Sequence, residues 1–332
     1  MKKKLLAAGL SLTLLVTMTA CGNSGYKIDS QLSMADEVQS YVDAVDAQYA
    51  YDTAYTLSYD EQYLSNELGF RTAGSDAEHK AADFLADQMK EIGLEDIEKV
   101  PVEVDKWQFN DASLNIEGTD VDIMPASYAT NGTDKDGITA EIVDVGTGKA
   151  EDYEGLDVKD KIVLAGVDQW NEAWIDMYMA EADTHGAAAI VTYDVGGYAT
   201  YSDDMINMQD LCCKDIMPCV SISKNQYKEI AEAIKAGKTT ATLTVDNIVE
   251  KDKGTSYNVI GKIPGKSSEQ QMIFSGHYDV YFNGFQDDSC AIGLILGVAK
   301  AMKESGYTPE NDIYFVCHGS EEWGALETQY DW

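Results

Sequence analysis

The chain is predicted to be an α/β protein, a mixed sheet flanked by helices, with an inserted β-rich unit. Three observations predict this. Residues 272–317 read as strand, helix, strand, and a unit of that length implies a right-handed parallel crossover. Helices and strands alternate along the rest of the chain. Between residues 126 and 250 the elements shorten into a series of β runs, as expected of a separate unit set into the first. A length of 332 residues allows about two domains on the usual ~150-residue scale.

The elements follow in order. A helix is expected from Ser33, with Asp36 completing a capping box and Val38, Tyr41, Val42, Val45 and Tyr49 on one face. A second helix is capped by Ser75, carries Glu78 at the reciprocal position and ends at Gly93. Its apolar stripe is Ala81, Phe84, Leu85, Met89 and Ile92. Residues 100–104 and 113–116 alternate like strands. Further strands are expected at 141–145, 161–165, 188–193, 219–222 and 240–245, with helices at 174–185 and 226–234. Lys251-Asp252-Lys253-Gly254 reads as a polar joint. After it, residues 272–276 and 312–317 read as buried strands, and Ile292, Leu296, Ala299 and Met302 give the helix between them its apolar face.

The chain carries 58 acidic against 24 basic side chains, for a formal net charge of −34. Such a surface repels phosphates, so nucleic-acid binding is excluded. The N-terminus reads as an address. Lys2, Lys3 and Lys4 precede an apolar run from Leu5 to Val16 that is too short for a typical membrane span. Small residues then lead into Cys21, a pattern that resembles a bacterial lipoprotein signal with Cys21 as the lipidated residue. Residues 1–20 are therefore expected to be a signal peptide and 21–33 a tether, with the protein lipid-anchored on the outer face of the cytoplasmic membrane of a bacterial cell envelope, or secreted. Cys212, Cys213, Cys219, Cys290 and Cys317 are odd in number and lack zinc-ribbon spacing. A disulfide between Cys219 and Cys212 or Cys213 is left open.

The chemistry-bearing residues gather in three clusters: His277-Tyr278-Asp279, Gln286-Asp287-Asp288 and Ser320-Glu321-Glu322-Trp323-Gly324. Active groups in open α/β sheets collect beyond the carboxyl ends of strands, and the first and third clusters lie there. Residue types suggest roles. A neutral His277 nitrogen is a good zinc ligand. Asp279 points to the same side in extended chain and can fix the imidazole tautomer. Asp287 has two oxygens and can bridge metals ~3.5–4 Å apart. Glu322 is a candidate ligand of the second metal, which leaves Glu321 as general base. Taken singly, a strand-end histidine is more often structural and a Glu-Glu pair merely solvated. Their joint occurrence at the expected sheet edge favours a metal site. His79 reads as an exposed first-turn residue, His185 as a helix-end residue, and His318 as structural, with lining of the pocket the alternative.

At this point residues 257–332 resemble the co-catalytic zinc aminopeptidases, in the wider family that includes glutamate carboxypeptidase and the transferrin receptor. The matching motifs are Tyr257-Asn258-Val259-Ile260-Gly261, Gly276-His277-Tyr278-Asp279, Gln286-Asp287-Asp288-Ser289 and Glu321-Glu322-Trp323-Gly324. Phe70-Arg71-Thr72-Ala73-Gly74-Ser75 resembles the family's N-terminal region. Asp160-Lys161-Ile162-Val163-Leu164, Gly186-Ala187-Ala188-Ala189-Ile190 and Met217-Pro218-Cys219-Val220-Ser221-Ile222 resemble a protease-associated domain.

The resemblance implies a zinc-exopeptidase-type sheet built from 34–125 and 251–332, with the protease-associated domain at 126–250. It implies two zinc ions, held by His277, Asp287 and Glu322, with Glu321 as base and peptides as substrates. It further implies an aspartate and a histidine downstream of the Glu-Glu motif. The sequence given ends before either, so it is expected to be an N-terminal part that is inactive alone. A carboxypeptidase of the same superfamily is the alternative, followed by a receptor-like or transport lipoprotein; the intact His277, Asp287, Glu321 and Glu322 speak against the last two.

Overall fold

The computed structural model describes residues 36–169, 171–196, 202–206 and 216–322. Ser33, Cys21, Cys212, Cys213, Trp323 and Gly324 lie outside the described residues.

The N-terminal helical run is two helices, α1 (Asp36–Asp43) and α2 (Ala47–Tyr59). The expected single face from Val38 to Tyr49 is therefore corrected. Asp46 caps α2 by accepting from the Tyr49 N–H at 3.0 Å, and a cap of this kind stabilises a helix start by ~1 kcal/mol. Val38, Val42 and Val45 stay exposed, because α2 rather than α1 lies deep against the core. Helix α3 (Asp76–Ile92) starts and stops as its sequence signals indicate, with Ser75 accepting from the Glu78 N–H and Gly93 left-handed at φ 87°. Ala77, Ala81, Ala82, Leu85 and Met89 are buried on its inner face.

Ten strands follow. β1 (Glu95–Ile116), β2 (Asp122–Ile123), β3 (Ala126–Ser127), β4 (Ile138–Asp144) and β5 (Ile162–Asp168) lead into helix α4 (Ile175–Thr184). β6 (Ala189–Gly196), β7 (Cys219–Ile222) and helix α5 (Lys224–Lys235) precede β8 (Thr240–Ile263) and β9 (Ser267–His277). Helix α6 (Cys290–Glu304) and β10 (Asn311–His318) complete the order. The two strand segments expected at 100–104 and 113–116 are one strand, β1, antiparallel to β8 along most of its length.

The β1/β8 pair is the spine of the sheet. Toward one end it continues β8-β10-β9, with β8 and β10 antiparallel and β10 and β9 parallel. Toward the other it continues β8-β4-β5-β6-β7-β3, with parallel pairing from β4 to β7. The 251–254 stretch is a bulge in β8, not a joint. Val104 faces Gly254 and Lys106 faces Glu250, so three residues loop out opposite Asp105. Asp252 takes φ 55° there and its N–H donates to the Asp105 carboxylate at 2.6 Å. Polar composition signalled a break, and the backbone pairing on either side kept the strand.

The parallel β9–α6–β10 crossover is present. One detail differs from the sequence reading: β9 is not buried. It pairs only with β10 among the described residues, and Met272 and Ile273 are about half exposed. A short apolar run does not reveal how many of its sides are covered. Beneath the site, Leu85, Met89, Val259, Ile292, Leu296 and Phe315 form one core. Ile162, Val191, Val220 and Leu243 belong to a second core that reaches Phe70 and Trp107. Gly293 brings α6 against α2 so closely that a Cβ there would meet the Ala50 carbonyl at 2.2 Å.

Candidate metal centre

His277 is the last residue of β9 and His318 the last of β10, paired in parallel register. The sheet therefore carries both strand ends to one edge, and the Glu321-Glu322 turn begins just beyond. Ser320 enters that turn with φ 65°. The third segment is the turn of π-type hydrogen bonding at Phe285–Ser289 that leads into α6. A cis peptide joins Asp287 to Asp288 within it.

These segments bring His277, Asp287 and Glu322 together. One donor atom from each lies within 4.8 Å of the others. His277 Nε2 is 3.0 Å from Asp287 Oδ1 and 3.7 Å from Glu321 Oε2. His277 is buried while the Asp287 side chain is 79% exposed, so the cluster has a protein side and an open side. Asp288 turns inward, where its Oδ2 accepts from the His277 N–H at 3.2 Å. That carboxylate needs the space left by Gly276, since a Cβ there would stand 2.9 Å from Oδ2.

Asp279 does more than the sequence indicated. His277 Nδ1 lies 3.0 Å from the Asp279 backbone carbonyl and 3.5 Å from its carboxylate. The carboxylate itself accepts from the backbone N–H groups of Glu321 and Glu322, at 3.0 Å each. One buried side chain thus sets the imidazole and the Glu-Glu turn together.

The electrostatics are those of a crowded anionic site. Burial would depress the His277 pKa, but the Asp279 carboxylate and carbonyl, with Glu321, outweigh it and push it up to about 10. Burial raises the Glu321 pKa and His277 lowers it; Asp279, Asp287 and Asp288 add to the rise. A raised carboxyl is a better proton acceptor. The donor set, one imidazole and two carboxylates with an open side, is that of a catalytic zinc with three protein ligands. A metal bound there would displace the imidazole proton.

Two side chains that support the site were not singled out from the sequence as site residues. Arg71 is fully buried and binds backbone carbonyls around Tyr278. Glu78 was expected to complete a capping box. Its N–H is accepted by Ser75, but its carboxyl turns inward to Tyr278. A charged residue on the apolar face of α3, beside Ala77, Ala81 and Ala82, was the available signal. His318 is buried at the end of β10 beside His277, whereas His79 and His185 are peripheral. His79 Nε2 meets the Thr255 carbonyl at 2.6 Å and His185 stacks on Tyr153. Cys219 is a free buried thiol.

Residues 258–331 match peptidase family M28. M28-like sequence covers the ends of β8, β9 and β10 and the whole candidate centre. Aminopeptidase YwaD of Bacillus subtilis (strain 168) is 27% identical over 293 residues, covering 86% of this chain and 57% of that protein. Carboxypeptidase Q of Bos taurus is 23% identical over 291 residues, covering 84% of this chain and 62% of that protein. A solved structure of the Bacillus subtilis zinc aminopeptidase BSAP superposes with a TM-score of 0.65 at 24% identity, over 85% of this chain and 63% of that one. That likeness shows a shared fold. The chain spans about half the length of the curated relatives it matches.

Proposed function

We propose that the protein is a zinc-dependent exopeptidase that releases N-terminal residues from peptides. The observation that carries this reading is the convergence of His277, Asp287 and Glu322 within 4.8 Å, with Glu321 beside them. His277 and Glu322 would hold the metal, and Asp287, largely exposed with its Oδ1 beside His277 Nε2, would serve as the bridging carboxylate to a second ion. The three side chains suffice for one ion; a second asks for further donors. Zinc, when bound, supplies a Lewis acid that acidifies water and takes up developing negative charge. Glu321 removes a proton from the attacking water at its carboxylate and returns it to the leaving amine. Asp279 keeps Glu321 and Glu322 in register with His277 through the two N–H bonds.

The test is zinc uptake followed by peptide digestion. Saturable zinc binding, lost in His277→Ala and Glu322→Ala, is the expected result for the chain, and chelator-sensitive release of N-terminal residues for a form that also carries the downstream aspartate and histidine the resemblance implies. Release from the carboxyl end instead selects the carboxypeptidase reading, which the likeness to carboxypeptidase Q favours as the alternative. Absence of zinc uptake overturns both.

The Lys-rich start, the short apolar run and the small residues before Cys21 support anchoring to a membrane surface through a lipid on Cys21. Cys21→Ala then releases the protein from membranes, and unchanged retention rejects the anchor. The marks between 126 and 250 support reading that span as a protease-associated unit with no catalytic group.

A further inference from the structure

We propose that Arg71 and Glu78 are positioning residues of the metal centre, clamping Tyr278 from both ends so that His277 and Asp287 keep their spacing. This rests on the metal-centre reading above.

Tyr278 sits between His277 and Asp279 and is fully buried. Its backbone carbonyl accepts from Arg71 Nε. Its hydroxyl donates to Glu78 Oε1 and also lies 2.7 Å from the Tyr257 carbonyl. The guanidinium does not stop at Tyr278. Nη1 donates to the Leu57 and Tyr63 carbonyls, and Nη2 donates to Ser289 Oγ at 3.2 Å. Ser289 ends the turn that carries Asp287. One planar cation therefore joins the segment of His277 to the segment of Asp287. The Arg71 backbone adds a two-way bridge to Val280, 3.0 Å in each direction.

Glu78 completes the clamp from α3. It accepts from Ser256 Oγ at 3.2 Å and from the Tyr257 N–H at 3.4 Å as well as from Tyr278. Burial pushes its carboxyl up to about 8, against the opposing effect of the Tyr278 hydrogen bond. At neutral pH it acts as a neutral acceptor, so glutamine at this position can keep the contact. Neither residue reaches the open side, so neither acts on substrate. Arginine is required at 71 because its several N–H donors serve four acceptors at once, and lysine offers one nitrogen.

The full chain is titrated with zinc alone, and backbone hydrogen exchange is followed in the metal-free protein. Tyr278→Phe and Glu78→Ala weaken zinc binding roughly 10-fold or more, the usual effect of removing a group that orients metal ligands. Glu78→Gln stays near wild type. Arg71→Lys and Tyr278→Phe speed exchange across 276–289 while β5 is unchanged. Met89→Ala, in the core beneath, lowers the melting temperature without changing zinc affinity. If Met89→Ala weakens zinc as much as Tyr278→Phe, the clamp is only general packing and the proposal falls. It also falls if Tyr278→Phe binds zinc normally with unchanged exchange. If the wild-type chain takes up no zinc, the metal reading fails, and exchange across 276–289 alone decides whether the clamp exists.

Discussion

The Asp279 carboxylate accepts the backbone N–H of Glu322 at 3.0 Å, across 43 residues of sequence. Its other oxygen takes the N–H of Glu321. Asp279→Ala leaves both donors without that acceptor, and each unsatisfied buried group costs about 1–3 kcal/mol. Loosening of the Glu322 turn is expected to weaken zinc binding by roughly 10–100-fold. Competition with a chromogenic chelator measures this, and Asp279→Asn, which keeps one acceptor oxygen, falls between the variant and wild type.

Glu321→Gln separates the base from the ligands. Its side chain is 3.7 Å from His277 Nε2 and is not one of the three converging donors. Zinc affinity is expected to stay within a few-fold of wild type, whereas turnover, read in a form that also carries the downstream aspartate and histidine, falls by about 10²–10⁴, the usual contribution of general base catalysis. Parallel loss of metal and activity refutes the division of roles.

Gly276→Ala tests how tightly the Asp288 carboxylate is seated. The added methyl meets Oδ2 at 2.9 Å and the Ala291 Cβ at 3.3 Å. Overpacking of this kind costs about 1–3 kcal/mol. Chemical denaturation of the metal-free protein gives the stability loss, and zinc titration shows whether Asp287 moved with its neighbour.

The buried Glu78 makes a pH prediction of definite sign. Its pKa is raised from the model-compound value of 4.5 to about 8 in the folded state. The folded protein then holds a proton that the unfolded chain releases between these values. The stabilisation is full below about pH 4.5 and is lost as pH rises toward 8. His277, raised from 6.5 to about 10, acts in the same direction at higher pH. In metal-free protein, stability is expected to fall from pH 5 to pH 8, and Glu78→Gln to flatten that fall; an equal slope in both proteins contradicts the assignment.

The sequence by itself determined the local elements and which residues meet at the sheet edge. Ser75 and Gly93 bounded α3, and the 219–222 run and the 174–185 helical stretch were legible because caps and short periodicities are local effects. His277, Asp287, Glu321 and Glu322 stood out because strand ends in an α/β unit converge by topology. Tertiary structure decided what local pattern does not encode. The break at Ala44–Asp46 follows from which helix packs on α6. The bulge at 251–254 follows from pairing with a strand about 150 residues earlier, as the Asp252–Asp105 bond shows. The exposure of Met272 depends on how many sides of β9 are paired. Above all, Arg71 meets Tyr278 across 207 residues and Glu78 meets it across 200. A buried polar group is stable only when other groups satisfy it, and these distant partners exist only once the chain has folded.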